Sequence, residues 1–81
     1  MKPSEARDKI IMLLKTITND RLRRNALRAA NDYFRTRSIV EKKVYMSRVI
    51  TFYSEWLKNR DSATRKHEIE RLRKLLLVAR K

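Results

Sequence analysis

Glycine and cysteine are both missing from this chain, proline occurs once, at Pro3, and acidic residues are scarce. Without glycine there is no phosphate-cradling loop, no dinucleotide-binding fingerprint and little of the turn chemistry that hairpins need. Without cysteine there is no disulfide framework, thiolate nucleophile or zinc–thiolate site, which fits a reducing compartment. The longest apolar runs, IIMLL at 10 to 14 and LLLVA at 75 to 79, are about a quarter of the roughly 20 residues a bilayer span requires. With no signal peptide visible, the expected location is intracellular, cytoplasmic or nucleoid-associated. The lone histidine, His67, has no Cys, Asp or Glu cluster at ligand spacing around it, so neither a metal nor a cofactor is expected. Glu5 and Asp8 fit the acids of a helix N-terminus rather than a catalytic pair. No enzyme is expected, and no catalytic residue is assigned.

Positive charge is what the chain has instead. Its 81 residues carry 22 Lys and Arg against 9 Asp and Glu, a net charge of +13. Divided after residues 19, 37 and 60, the segments carry +2, +4, +3 and +4, so none is acidic. Such self-repulsion opposes a compact state, and a sequence that tolerates it has a polyanionic partner or gains solubility. Arginine outnumbers lysine thirteen to nine. That bias suits bidentate phosphate recognition, and it also arises from a hot habitat or a base-rich genome.

A chain without glycine and with one proline reads as helices joined by polar connectors. The expected fold is a single all-α domain over 1–81, a bundle of four helices at 4–18, 20–36, 39–60 and 62–80. Ser4, after Pro3, is placed to cap the first, in which Ala6, Ile10, Leu13, Leu14 and Ile17 recur at helical spacing. In the second, Leu22, Ala26, Ala29, Ala30 and Tyr33 form one stripe whose alanines would admit a neighbour closely. Ser38 is placed to cap the third, whose apolar residues from Ile39 to Leu57 cover roughly 160°, wider than an ordinary stripe. That width marks it as the expected centre of the core, with Tyr45, Phe52, Tyr53 and Trp56 packed inside. Tyr33 and Tyr45 are the better base-stacking candidates should either be exposed. Asp61 or Ser62 caps the fourth helix, which buries Ile69, Leu72, Leu75, Leu76 and Ala79. Leu77 and Val78 fall outside that arc and are the candidate contact of a homodimer, which would supply burial that so small a core lacks.

The arginines of the stretch RLRRNALRAANDYFRTR (21–37) form a line rather than a halo. Arg21, Arg24, Arg28 and Arg35 gather opposite the apolar stripe and span about 21 Å at 1.5 Å per residue, the length of several phosphates. Asn25 and Asn31 lie near the line, and asparagine pairs bidentately with adenine in a major groove. Lys66, Arg73 and Arg80 make a second line on the fourth helix, where Glu70 and Lys74 form an i,i+4 pair. Lys42 and Lys43 sit in the first turn of the third helix, where cations oppose the macrodipole, so a ligand is expected to use them. The plain alternative is a solvated face. Such a face mixes signs, and these scarcely do.

Residues 33–59, YFRTRSIVEKKVYMSRVITFYSEWLKN, resemble the helical core-binding domain of tyrosine recombinases, in which a capped turn leads into a helix bearing Tyr, Phe and a Trp-Leu pair. Ser38 stands where that family commonly has Gly, Lys42 or Lys43 where it prefers Thr, and Met46 at the usual Tyr position. The catalytic domain is missing, so the resemblance implies a stand-alone helical DNA clamp.

The leading expectation is a non-enzymatic nucleic-acid-binding protein, with DNA favoured over RNA because a helical arginine line suits a groove edge and no RNA-binding signature appears. The alternative is an interaction or structural protein, of a viral or plasmid type, that docks on an acidic protein partner. A membrane surface is disfavoured because the basic fourth helix lacks Trp or Phe anchors.

Overall fold

The computed structural model describes residues 1–80 and contains four helices, α1 (Pro3–Lys15), α2 (Asp20–Arg35), α3 (Ile39–Trp56) and α4 (Ser62–Ala79). The all-α four-helix bundle expected from the sequence is present, with boundaries set by capping chemistry. Pro3 occupies the first turn of α1, where its missing N–H costs nothing, and Lys2 precedes it without a side-chain cap bond. Ser4 is therefore inside the helix and does not cap it. At the other three starts a side-chain oxygen accepts from a backbone N–H three residues on: Asn19 from Leu22 (2.9 Å), Ser38 from Glu41 (3.3 Å) and Asp61 from Thr64 (3.3 Å). The Thr64 hydrogen bonds hold the Asp61 carboxyl below the usual aspartate range.

Two helices stop earlier than their apolar periodicity suggests. α1 ends at Lys15 rather than 18, where the Thr16 hydroxyl donates to the Leu13 carbonyl at 2.6 Å. Ile17 remains fully buried from the connector. α3 ends at Trp56 rather than Arg60, and Leu57 drops into the core while Arg60 N–H donates to its carbonyl at 2.9 Å to close a turn. In both places an apolar side chain continues the pattern after the backbone has left the helix. No described residue has a positive φ, so every connection is made without the left-handed conformation glycine would supply.

Side-chain contacts fix the direction of each helix. At one end of the bundle the Tyr33 hydroxyl donates to the Leu76 carbonyl, Lys42 reaches the Tyr33 carbonyl, and the Arg7 guanidinium lies 5.4 Å from the Phe34 ring centre. At the other, the Trp56 indole N–H donates to the Thr18 hydroxyl at 3.2 Å. The helices therefore run up, down, up, down, as short connectors favour. α2 packs most extensively on α3, α1 next on α4, and α3 touches α4 least of the four neighbouring pairs.

One apolar cluster joins all four helices. α2 contributes five buried residues, Leu22, Ala26, Ala29, Ala30 and Tyr33, whereas α3 contributes only Val49 and Tyr53 within its helical span. The expectation that α3 centres the core is thus overturned. Its apolar arc is wide because it borders grooves on two sides, and its N-terminal Ile39 and Val40 are 67% and 72% exposed. Alanines on α2 leave room for α3 to approach, which places the densest packing between those two helices. Among the described residues no buried side-chain polar atom lacks a partner, and no helix is long and apolar enough to cross a membrane.

Candidate nucleic-acid interface

Arg21, Arg24, Arg28 and Arg35 are all exposed along the outer side of α2, away from its buried stripe. Their partners are few and weakly held. Arg21 lies 4.0 Å from Glu55, Arg35 lies 3.3 Å from Asp32, and Arg24 Nε donates to the Asp20 carbonyl at 3.4 Å. Such exposed pairs contribute at most about 1 kcal/mol, so a phosphate can replace the carboxylate at small cost. Arg28 pairs with no carboxylate among the described residues. Arg23 serves the fold instead, bonding Asp20 and the Ile17 carbonyl to tie down the α1–α2 connector.

Arg28 also enters a cleft of about 200 Å³ between α2 and α3, bordered by Asn25, Asp32, Arg48 and Phe52 with Ala29 at its base. Asn25 thus lies beside an arginine of the line. Asn31 is exposed and sits about 120° around the helix from Asn25 at 100° per residue. The arginine line runs between them, with Asn31 nearer its centre and Asn25 farther away on the cleft side. Arg48 escaped sequence reasoning because it stands alone among apolar residues of α3. Its signal was the neighbouring aromatic: the guanidinium packs 5.7 Å from the Tyr45 ring centre, which turns it toward the α2 side.

The aromatic candidates divide. Tyr33 is fully buried with its hydroxyl on the Leu76 carbonyl, so it is not a stacking platform. Burial pushes its phenol above the usual tyrosine range. Tyr45 is half-buried beneath Arg48. Trp56, expected inside the core, is also half-buried, with its ring 5.9 Å from Tyr53 and the Arg60 guanidinium 5.3 Å from its centre.

Lys42 has a structural explanation that the sequence concealed. Although it stands in the first turn of α3, its ammonium donates to the Tyr33 carbonyl at 2.7 Å and lies 4.7 Å from that residue's ring centre. A cation opposed to its own helix dipole thereby satisfies the C-terminal end of another, where positive charge is favourable. Burial and the nearby Arg7 and Arg80 guanidiniums hold its pKa below the usual lysine range. Lys43 and Arg80 share a small pocket with Lys42, Ile39 and Met46 at this end of the bundle.

The second line is not continued into one surface with the first. Arg73 borders the α3–α4 groove with Lys43, Arg80 reaches the bundle end beside Tyr33, and Lys66 is exposed two turns before Arg73. α2 and α4 occupy opposite corners of the bundle with α3 between them. On α4 the ion pair is Arg71 with Glu68 at 3.9 Å, in place of the expected Glu70–Lys74 pair. Leu77 and Val78 separate as well: Leu77 faces α3, while Val78 borders a hollow next to α1 with Met1 and Lys9. Among the described residues no cluster of His, Cys, Asp or Glu could hold a metal ion.

Compared with known proteins, the chain matches no family model, no curated protein and no solved structure.

Proposed function

We propose that this protein binds nucleic acid without catalysis, gripping the phosphate backbone of duplex DNA with the outer side of α2. The observation that carries the reading is the line of exposed arginines at 21, 24, 28 and 35, whose only described carboxylate partners are loose, solvent-exposed ones. A straight helix about 21 Å long matches several consecutive phosphates, and guanidiniums give bidentate contacts. Arg48 extends the grip across the α2–α3 cleft, opposite Arg28. Asn31, exposed and nearer the centre of the line than Asn25, is the side chain best placed to meet a base edge. Phosphate contacts set affinity and register, so sequence preference on this surface depends on whether Asn31 reaches a groove. Lys42 is left out of the grip because its ammonium is committed to the α2 C-terminus.

The test is a fluorescence-anisotropy titration of a labelled random-sequence duplex at several salt concentrations. A slope of log affinity against log salt of about −4 to −5 is expected if the five arginines each neutralise one phosphate. Absence of binding at low salt would refute the reading.

A further inference from the structure

The groove between α3 and α4 is one of two of similar size beside α4. The other lies against α1 with Lys9, Met12, Leu13, Thr16 and Arg71, where Arg71 is already paired with Glu68. The open α3–α4 groove holds about 420 Å³ and is lined by Met46, Ile50 and Leu77, with Ser47 and Thr51 beside them and Lys43 and Arg73 at its borders. Leu77 is 44% exposed although it lies between two helices. Met46 and Lys43 also border the adjoining pocket with Ile39, so apolar surface continues to the N-terminus of α3, where Ile39 is 67% exposed. Singly scattered aliphatics are ordinary on a small protein, whereas a continuous apolar trough marks an interaction site. Ile39 to Ile50 spans about 16 Å, the length of roughly three helical turns.

Charge selects the occupant. Among the described residues neither Lys43 nor Arg73 has a carboxylate within 4.0 Å. A second copy brings no carboxylate to these cations from the same groove and adds another chain of net charge +13 beside them. Duplex DNA offers phosphates to the border, but its base faces are stacked away and leave little apolar surface to cover Leu77 and Ile50. We propose that the α3–α4 groove docks an acidic amphipathic helix of a different protein, with its apolar residues on Met46, Ile50 and Leu77 and its carboxylates meeting Lys43 and Arg73. Helix-in-groove recognition of this kind places apolar anchors at i, i+3 or i+4, and i+7. The protein then presents two separate surfaces, an arginine line for phosphate and a trough for a protein helix.

A labelled synthetic peptide of about sixteen residues, with Leu at helical spacing and Glu on both flanks, tests the proposal beside a shuffled peptide of identical composition. At physiological salt the amphipathic peptide is expected to bind about tenfold tighter than the shuffled one. Leu77→Lys, at a position already exposed, should erase that preference, and Arg73→Glu should weaken the amphipathic peptide specifically. Arg28→Ala with Arg48→Ala should leave it intact, which separates this groove from the DNA reading. Equal affinity for the two peptides would overturn the proposal by showing bulk charge attraction. So would light scattering that finds a dimer dissociated by Leu77→Lys, because the trough would then be covered by a second copy.

Discussion

α3 has a groove on each side, and the two differ in width and in the size of the side chains that line them. Toward α2 the helices pack closely over Ala29, and the remaining cleft of about 200 Å³ is bordered by Asn25, Arg28, Asp32, Arg48 and Phe52. Toward α4 the helices touch least, and the larger groove of about 420 Å³ is floored by Met46, Ile50 and Leu77. The difference comes from side-chain size at the facing positions. Alanine lets two backbones approach and leaves a narrow cleft, rimmed by charged side chains and the half-buried Phe52. Methionine, isoleucine and leucine hold backbones apart and leave their own apolar surface uncovered. One helix can thus support a phosphate-facing surface and a protein-facing one without additional elements.

The largest expected effect comes from the contact that pins the two sides together. Tyr33→Ala removes a fully buried ring whose hydroxyl bridges α2 to the Leu76 carbonyl of α4. Chemical denaturation should show a loss of about 3 to 5 kcal/mol. Next, Ala29→Leu would make the tight side resemble the loose one. Overpacking should cost about 1 to 3 kcal/mol, while Leu77→Ala in the open groove should cost less than about 1 kcal/mol, as exposed positions do. If the two substitutions cost the same, the contrast between the grooves is mistaken.

Alkaline pH sharpens the comparison at the α3–α4 boundary. Burial, followed by the Glu68 carboxylate beside it, pushes the Tyr53 phenol up to about 12. A raised folded pKa means that the unfolded chain loses its proton first, near the usual tyrosine value of about 10. Stability is therefore complete below that pH and falls as pH rises from about 10 toward 12. Thermal unfolding followed across this window should show the decline, and Tyr53→Phe should reduce it to the part contributed by the buried Tyr33 phenol.

The smallest effect on stability should be the most informative about function. Arg24→Ala with Arg28→Ala should change stability by no more than roughly 1 kcal/mol, yet make the salt slope of DNA binding shallower by about 2. An unchanged slope would place the phosphate contacts elsewhere.

How much could be read in advance follows from which interactions are local. The caps at Asn19, Ser38 and Asp61 reach only three residues along the chain, so a polar residue ahead of an apolar run announces them. Helix ends were less legible because Ile17 and Leu57 keep the apolar rhythm while leaving the helix. Lys42 looked misplaced against its own dipole and proved to face that of α2. Arg48 looked isolated, and stands across a cleft from Arg28.

By itself the sequence determined the all-helical class, the number of helices, the buried stripe of α2 and the arginine line opposite it. Each depends on composition or on a 3.6-residue period, both of which are properties of one segment at a time. Only the tertiary structure decided that the basic residues of α2 and α4 occupy opposite corners, that Tyr33 is inside, and that Leu77 and Val78 face different neighbours. Those outcomes depend on how closely each pair of helices approaches, which is set by side-chain volumes on both partners together.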